Sequence, residues 1–113
     1  MTMSREQIAI DRWARERQRH EAYSNIAREL IRSYGSTTAM LNNGLVLAEE
    51  AGEAVQAMRR FMGYARTAGS LGAVAEELAD VVITAYVTAD LYAIDLADAV
   101  SAKLVMIEER GGK

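Results

Sequence analysis

The chain has no cysteine and no proline, and only one histidine and one tryptophan. Without cysteine there is no disulfide framework, no thiolate zinc site and no cysteine nucleophile, as suits a reducing cytosol. The sole imidazole, His20, lies among arginines far from any acidic pair. A di-iron centre of the ferritin-like kind, which draws Glu-x-x-His from two helices, therefore has no ligand set here. Lack of proline removes the strongest helix breaker. No apolar run reaches the roughly 18 residues of a membrane span, and the polar N-terminus lacks the apolar stretch of a secretory signal. The expectation is a soluble, cytoplasmic protein with no membrane partner.

Net charge is small as well. A net charge of -3 over 113 residues provides no general field for nucleic acid. Arg12, Arg15, Arg17, Arg19 and His20 make one basic patch, but Glu16 and Glu21 interleave with it, which reads as a solvated helix face. No stable nucleic-acid partner is expected.

What the chain has is helix-forming material. Half the residues are hydrophobic, enough for one modest core, so a single domain over residues 1–113 is expected. Alanine, leucine, glutamate and arginine dominate, and no sustained period-two alternation argues for strands. The fold class is all-α, with four helices. The first covers residues 5–33 and ends at Gly35; its length and charge favour a break near His20. The second covers residues 38–62, with Leu41, Leu45, Ala48, Val55 and Met58 at helical spacing, and Gly63 ends it. Residues 63–70 read as a loop, with Ser70 placed to cap a third helix that runs to about residue 92. Asp95 caps a fourth, which ends at Gly111-Gly112. The third helix carries Val81-Val82-Ile83-Thr84-Ala85-Tyr86-Val87, apolar around most of its circumference. Three other helices supply too little cover for it, so an antiparallel bundle completed by oligomerisation is expected.

Residues 48–55 read Ala-Glu-Glu-Ala-Gly-Glu-Ala-Val, and 27 positions later residues 75–82 read Ala-Glu-Glu-Leu-Ala-Asp-Val-Val. The shared pattern is Glu-Glu-x-x-acid followed by two small or apolar residues. Residues three apart on a helix lie on one face about 5–6 Å apart, so Glu50 with Glu53 and Glu77 with Asp80 each form a two-carboxylate pincer. The intervening loop makes the two helices antiparallel neighbours, and the apolar residues beside each pincer set the acids at the edge of the core. Such a gathering repels itself unless protons or a divalent cation neutralise it. All-oxygen ligation favours magnesium, calcium or manganese over zinc or copper, and magnesium is commonly shared with substrate phosphates. Exposed glutamates on ordinary amphipathic helices are the plain alternative, and the repetition of the motif across a hairpin weighs against it.

Glu49-Glu50-x-x-Glu53 and Glu77-x-x-Asp80 resemble the signature of the MazG-like all-α nucleoside triphosphate pyrophosphohydrolases. The resemblance continues through Asp80-Val81-Val82-Ile83, Ala89-Asp90-Leu91, Ile94-Asp95-Leu96 and Ala102-Lys103-Leu104 to Arg110, about residues 41–110. It implies a helical bundle of two or more chains, homodimer or homotetramer. It also implies magnesium dependence, with manganese as a substitute, and cleavage of a nucleoside triphosphate between the α and β phosphates. Carried over by motif, the metal ligands are Glu50, Glu53, Glu77 and Asp80, while Glu49 and Glu76 hold a second metal or orient the attacking water. Many members have asparagine four residues after the fourth-helix lysine; here that place is Ile107, which puts the mode of nucleotide recognition in doubt.

Lys103 and Arg110 are candidates for phosphate contacts, set against the reading of solvated helix-end charges, with Arg59, Arg60 and Arg66 ranked behind them. Trp13 and Tyr86 are read first as core residues, with base stacking as the functional alternative. The expected role is nucleotide-pool house-cleaning or control of dUTP or dCTP supply. The rival from another class is a helical interaction or nucleotide-binding module without catalysis, which would have no reason to keep both pincers whole.

Overall fold

The computed structural model describes residues 2–111. Four helices follow one another: α1 (Arg5–Tyr34), α2 (Ser36–Phe61), α3 (Leu71–Leu91) and α4 (Leu96–Glu109). Among the described residues there is no strand, and no helix is long and apolar enough to cross a membrane. Helix α1 runs unbroken through His20, correcting the expected interruption. Nothing in the segment obliges a break, since it holds neither glycine nor proline.

The helix ends follow local chemistry. Ser4, Ser70 and Asp95 each accept a hydrogen bond from the backbone N–H three residues on, which opens α1, α3 and α4. A single residue, Gly35, separates α1 from α2. Its φ of +80° and ψ of 158° belong to a region open in practice to glycine alone. Helix α2 closes in a Schellman arrangement, with Gly63 at φ +83° donating to the Arg60 carbonyl and Tyr64 donating to Arg59. Helix α3 closes the same way around Ala93, a non-glycine residue at φ +56°. Beyond α4, Gly111 takes φ +70°; Gly112, the other half of the expected stop, lies outside the described residues.

Helices α2 and α3 form the main packed pair, α1 lies against both, and α4 touches only α3. The buried seam is made of small side chains: Ala27, Ala39, Ala54, Ala57, Val87 and Ala89. One polar residue joins them. Asn43 donates to the Thr88 hydroxyl and, at 3.5 Å, to the Thr84 carbonyl, while Thr88 donates onward to Thr84. An early residue of α2 thus meets late residues of α3, which fixes the pair as antiparallel.

The expected inward stripe of α2 is corrected by this seam. Leu41, Leu45 and Val55 stand 66%, 72% and 54% exposed, Ala48 is exposed and Met58 half-buried, while Ala39, Ala54 and Ala57 are buried. Small side chains let two backbones approach, so the alanine face wins the contact within one chain and the larger residues are turned outward. Trp13, read first as core, is also exposed. Tyr86 is half-buried and stacks on Tyr23 with ring centroids 4.8 Å apart.

Candidate metal centre

The acidic motifs lie midway along α2 and near the start of α3, where the antiparallel pairing brings them level. Asn43 is seven residues before Glu50, and Thr84 is seven residues after Glu77. Two helical turns from the Asn43 contact in either helix therefore lead to a carboxylate. Carboxylate oxygens of Glu50, Glu53 and Glu77 all lie within 4.8 Å of one another. Glu50 and Glu77 are half-buried and Glu53 is exposed. One oxygen of each inner residue, Glu50 Oε2 and Glu77 Oε2, is buried with no hydrogen-bond partner.

Burial is the largest cause raising the Glu50 carboxyl above its ordinary value, followed by the negative charges of Glu53, Asp80 and Glu77. Glu77 is raised in the same order, by burial first and then by Glu53 and Asp80, with Glu76 adding to the repulsion. Among the described residues no cation of the protein relieves this. The ion pairs present, Arg17 with Glu21 and Arg32 with Glu29, both lie on α1. Unpartnered buried carboxylate oxygens are rare and costly, and a hard divalent cation satisfies oxygens of this kind. The donor set fits such an ion.

Of the other expected site residues, Asp80 is exposed and stands outside the three-residue group, near enough for its charge to act on Glu50 and Glu77. Glu49 is exposed and lines a cleft of about 540 Å³ together with Glu53 and Glu77. Glu76 is exposed beside Glu77. Lys103 and Arg110 sit exposed on and just after α4, and neither lines the acidic cleft. Trp13 lines a separate cavity of about 800 Å³ with Tyr86, His20 and Asp95, its ring 5.3 Å beneath the Arg17 guanidinium. Within one chain these three residues are not brought to the carboxylates.

The cleft adds residues that sequence reasoning ranked low or passed over: Gln56, Arg60 and Gly69. A signal for two of them was present. Glu49, Glu53, Gln56 and Arg60 follow at spacings of four, three and four, which is one helix face.

No curated protein and no solved structure matches the chain. The family model of the MazG nucleotide pyrophosphohydrolase domain matches residues 39–111, well over half of the chain and spanning both acidic motifs. The chain belongs to the MazG nucleotide pyrophosphohydrolase family.

Proposed function

We propose that the protein hydrolyses a nucleoside triphosphate between its α and β phosphates, releasing a monophosphate and pyrophosphate, with magnesium or manganese held by Glu50, Glu53, Glu77 and Asp80. The observation that carries this reading is the convergence of three carboxylates with two orphaned buried oxygens in a chain of this family. When bound, the ion would supply Lewis-acid polarisation of the phosphoryl oxygens. The oxygen of a water forms the new bond to the α phosphorus, the bridging bond to the β phosphate breaks, and its electron pair leaves with pyrophosphate. Glu49, which lines the cleft, would orient that water and take its proton, with Glu76 in a supporting role beside Glu77.

Oligomerisation belongs to the same proposal. Val82, Ile83, Val100, Leu104, Val105 and Met106 are each at least 40% exposed, and an apolar surface of this extent is ordinarily covered by a partner. Further copies of the chain, as a homodimer or homotetramer, would cover it. Lys103, Arg110 and Trp13 serve as substrate contacts only where a second copy carries them to the cleft. A role in nucleotide-pool house-cleaning fits this chemistry.

The test is release of pyrophosphate and monophosphate from a panel of standard and modified nucleoside triphosphates, with magnesium and then with excess chelator. Magnesium-dependent release from at least one substrate is the expected result. No release by folded protein from any of them would leave the acidic group as a binding site alone and turn the reading to a non-catalytic nucleotide-binding module.

A further inference from the structure

The acidic cleft continues into a second cavity of opposite character. Its volume is about 510 Å³, and it is lined by residues at the end of α2 and in the following loop, among them Arg59, Arg60, Tyr64, Arg66 and Thr67. No acidic residue lines it. Gln56 and Arg60 line both cavities, so the cationic one opens beside Glu53 and Glu77 rather than elsewhere on the surface.

Arginines in the last turn of a helix commonly offset the negative end of its dipole, which accounts for Arg59 and Arg60 taken alone. Arg66 lies outside the helix and has no part in that. Arg59 is also engaged structurally, its guanidinium donating to the Tyr64 carbonyl at 3.2 Å. Among the described residues neither Arg60 nor Arg66 forms an ion pair, so two arginines line this cavity with their donors uncommitted to any carboxylate. A guanidinium presents planar paired donors that match phosphate oxygens.

We propose that this cavity is a polyphosphate subsite, in which Arg60 and Arg66 bind the β and γ phosphates of the substrate and hold the departing pyrophosphate, with Arg59 keeping the loop in place. The identity of the ligand rests on the hydrolase reading. Arg60, shared by both cavities, spans from the carboxylate-bound end of the triphosphate to its terminal end. Charge developing on the bridging oxygen as the α–β bond breaks then falls beside a fixed cation.

The test uses the full chain and inorganic pyrophosphate as probe, titrated by calorimetry into metal-free protein and again with magnesium. Arg60→Gln and Arg66→Gln should each weaken metal-free pyrophosphate binding about tenfold, the usual loss for one charge-assisted contact. Arg60→Lys should recover only part of it, and Arg32→Gln, on the far-removed α1, should change nothing. Glu53→Gln should leave metal-free binding intact while removing the gain that magnesium brings. Both arginine variants binding within twofold of the parent would overturn the subsite. So would a single-stranded oligonucleotide displacing pyrophosphate at equal phosphate concentration, which would assign the cavity to a nucleic-acid backbone. The two readings fail separately: wild-type protein that cleaves no triphosphate, yet loses pyrophosphate binding on Arg60→Gln, would retain the anion subsite and lose the hydrolase. Magnesium-dependent turnover untouched by the arginine variants would do the reverse.

Discussion

The carbonyl of Arg60 accepts from the amide of Gly69 at 3.3 Å, and a Cβ built on Gly69 would stand 2.7 Å from the Arg60 Cβ. The same carbonyl accepts from Gly63 at 3.2 Å, so one backbone oxygen ties both ends of the connecting loop to the last turn of α2. Gly69→Ala would also bring its methyl to 2.9 Å from the Phe61 amide nitrogen, and backbone cannot rotate aside as a side chain can. The substitution is expected to destabilise the protein by about 1–3 kcal/mol, as overpacking does, and to weaken pyrophosphate binding. Urea denaturation alongside calorimetry checks both; an unchanged midpoint would mean that the loop yields freely.

Raised carboxyls set the sign of the pH dependence. Glu50 and Glu77 hold their protons more tightly in the folded protein than in the unfolded chain, where the ordinary value is 4.5. Their contribution to the stability of the metal-free protein is therefore least unfavourable below that value and worsens as pH rises through the raised values. Denaturation midpoints measured in chelator across this window should fall with rising pH, and Glu50→Gln should flatten the slope. An equally steep slope in the variant would show that burial does not act where the structure places it.

Metal reverses this trend, because an ion displaces those protons and binds only the folded arrangement. At a metal concentration one hundred times the dissociation constant, linkage gives about 2.7 kcal/mol, or roughly 10 °C in melting temperature for a chain of this size. Magnesium or manganese should raise the melting temperature of the parent protein in this way. Glu53→Ala should abolish both the shift and the magnesium-dependent turnover while leaving the helical circular dichroism intact. Retained turnover would remove Glu53 from the ligand set.

Much of this was legible from local chemistry. Ser70, Asp95, Gly35 and Gly63 announce helix ends because capping depends on a residue and its immediate neighbours, and the acidic pincers follow from helical spacing alone. The inward face of α2 was not legible. Leu41 and Leu45 outrank Ala39, Ala54 and Ala57 on any scale of hydrophobicity, and the preference for the alanines is a property of two backbones meeting. Nor does a sequence show that Ala93 takes the left-handed cap of α3, a place usually given to glycine. Asp80 was read as the equal of Glu77, yet it stands outside the tight group of Glu50, Glu53 and Glu77. Arg60 shares a face with Glu53, but its place between two cavities appears only once the loop folds back to build the second one.

Register is held by the buried amide of Asn43. Asn43→Leu replaces it with an apolar group of similar shape, and Thr88 keeps its bond to the Thr84 carbonyl at 2.6 Å. Global stability should therefore change by no more than about 1 kcal/mol. Manganese affinity, read by calorimetry or paramagnetic relaxation, should fall several-fold, because the seam of small side chains tolerates sliding once the amide is gone. Unchanged affinity would mean that the alanines alone set the alignment.

Asn43 joins α2 to α3 through residues of the two helices themselves, whereas the cationic cavity is built from the end of α2 and the loop that follows it. A protease nick around Arg66 is therefore expected to disturb the cationic cavity first, because Tyr64, Ala65, Arg66 and Thr67 all line it. The carboxylate group and the cationic cavity thus have different vulnerabilities, one inherited from helix pairing and the other from a short covalent tether.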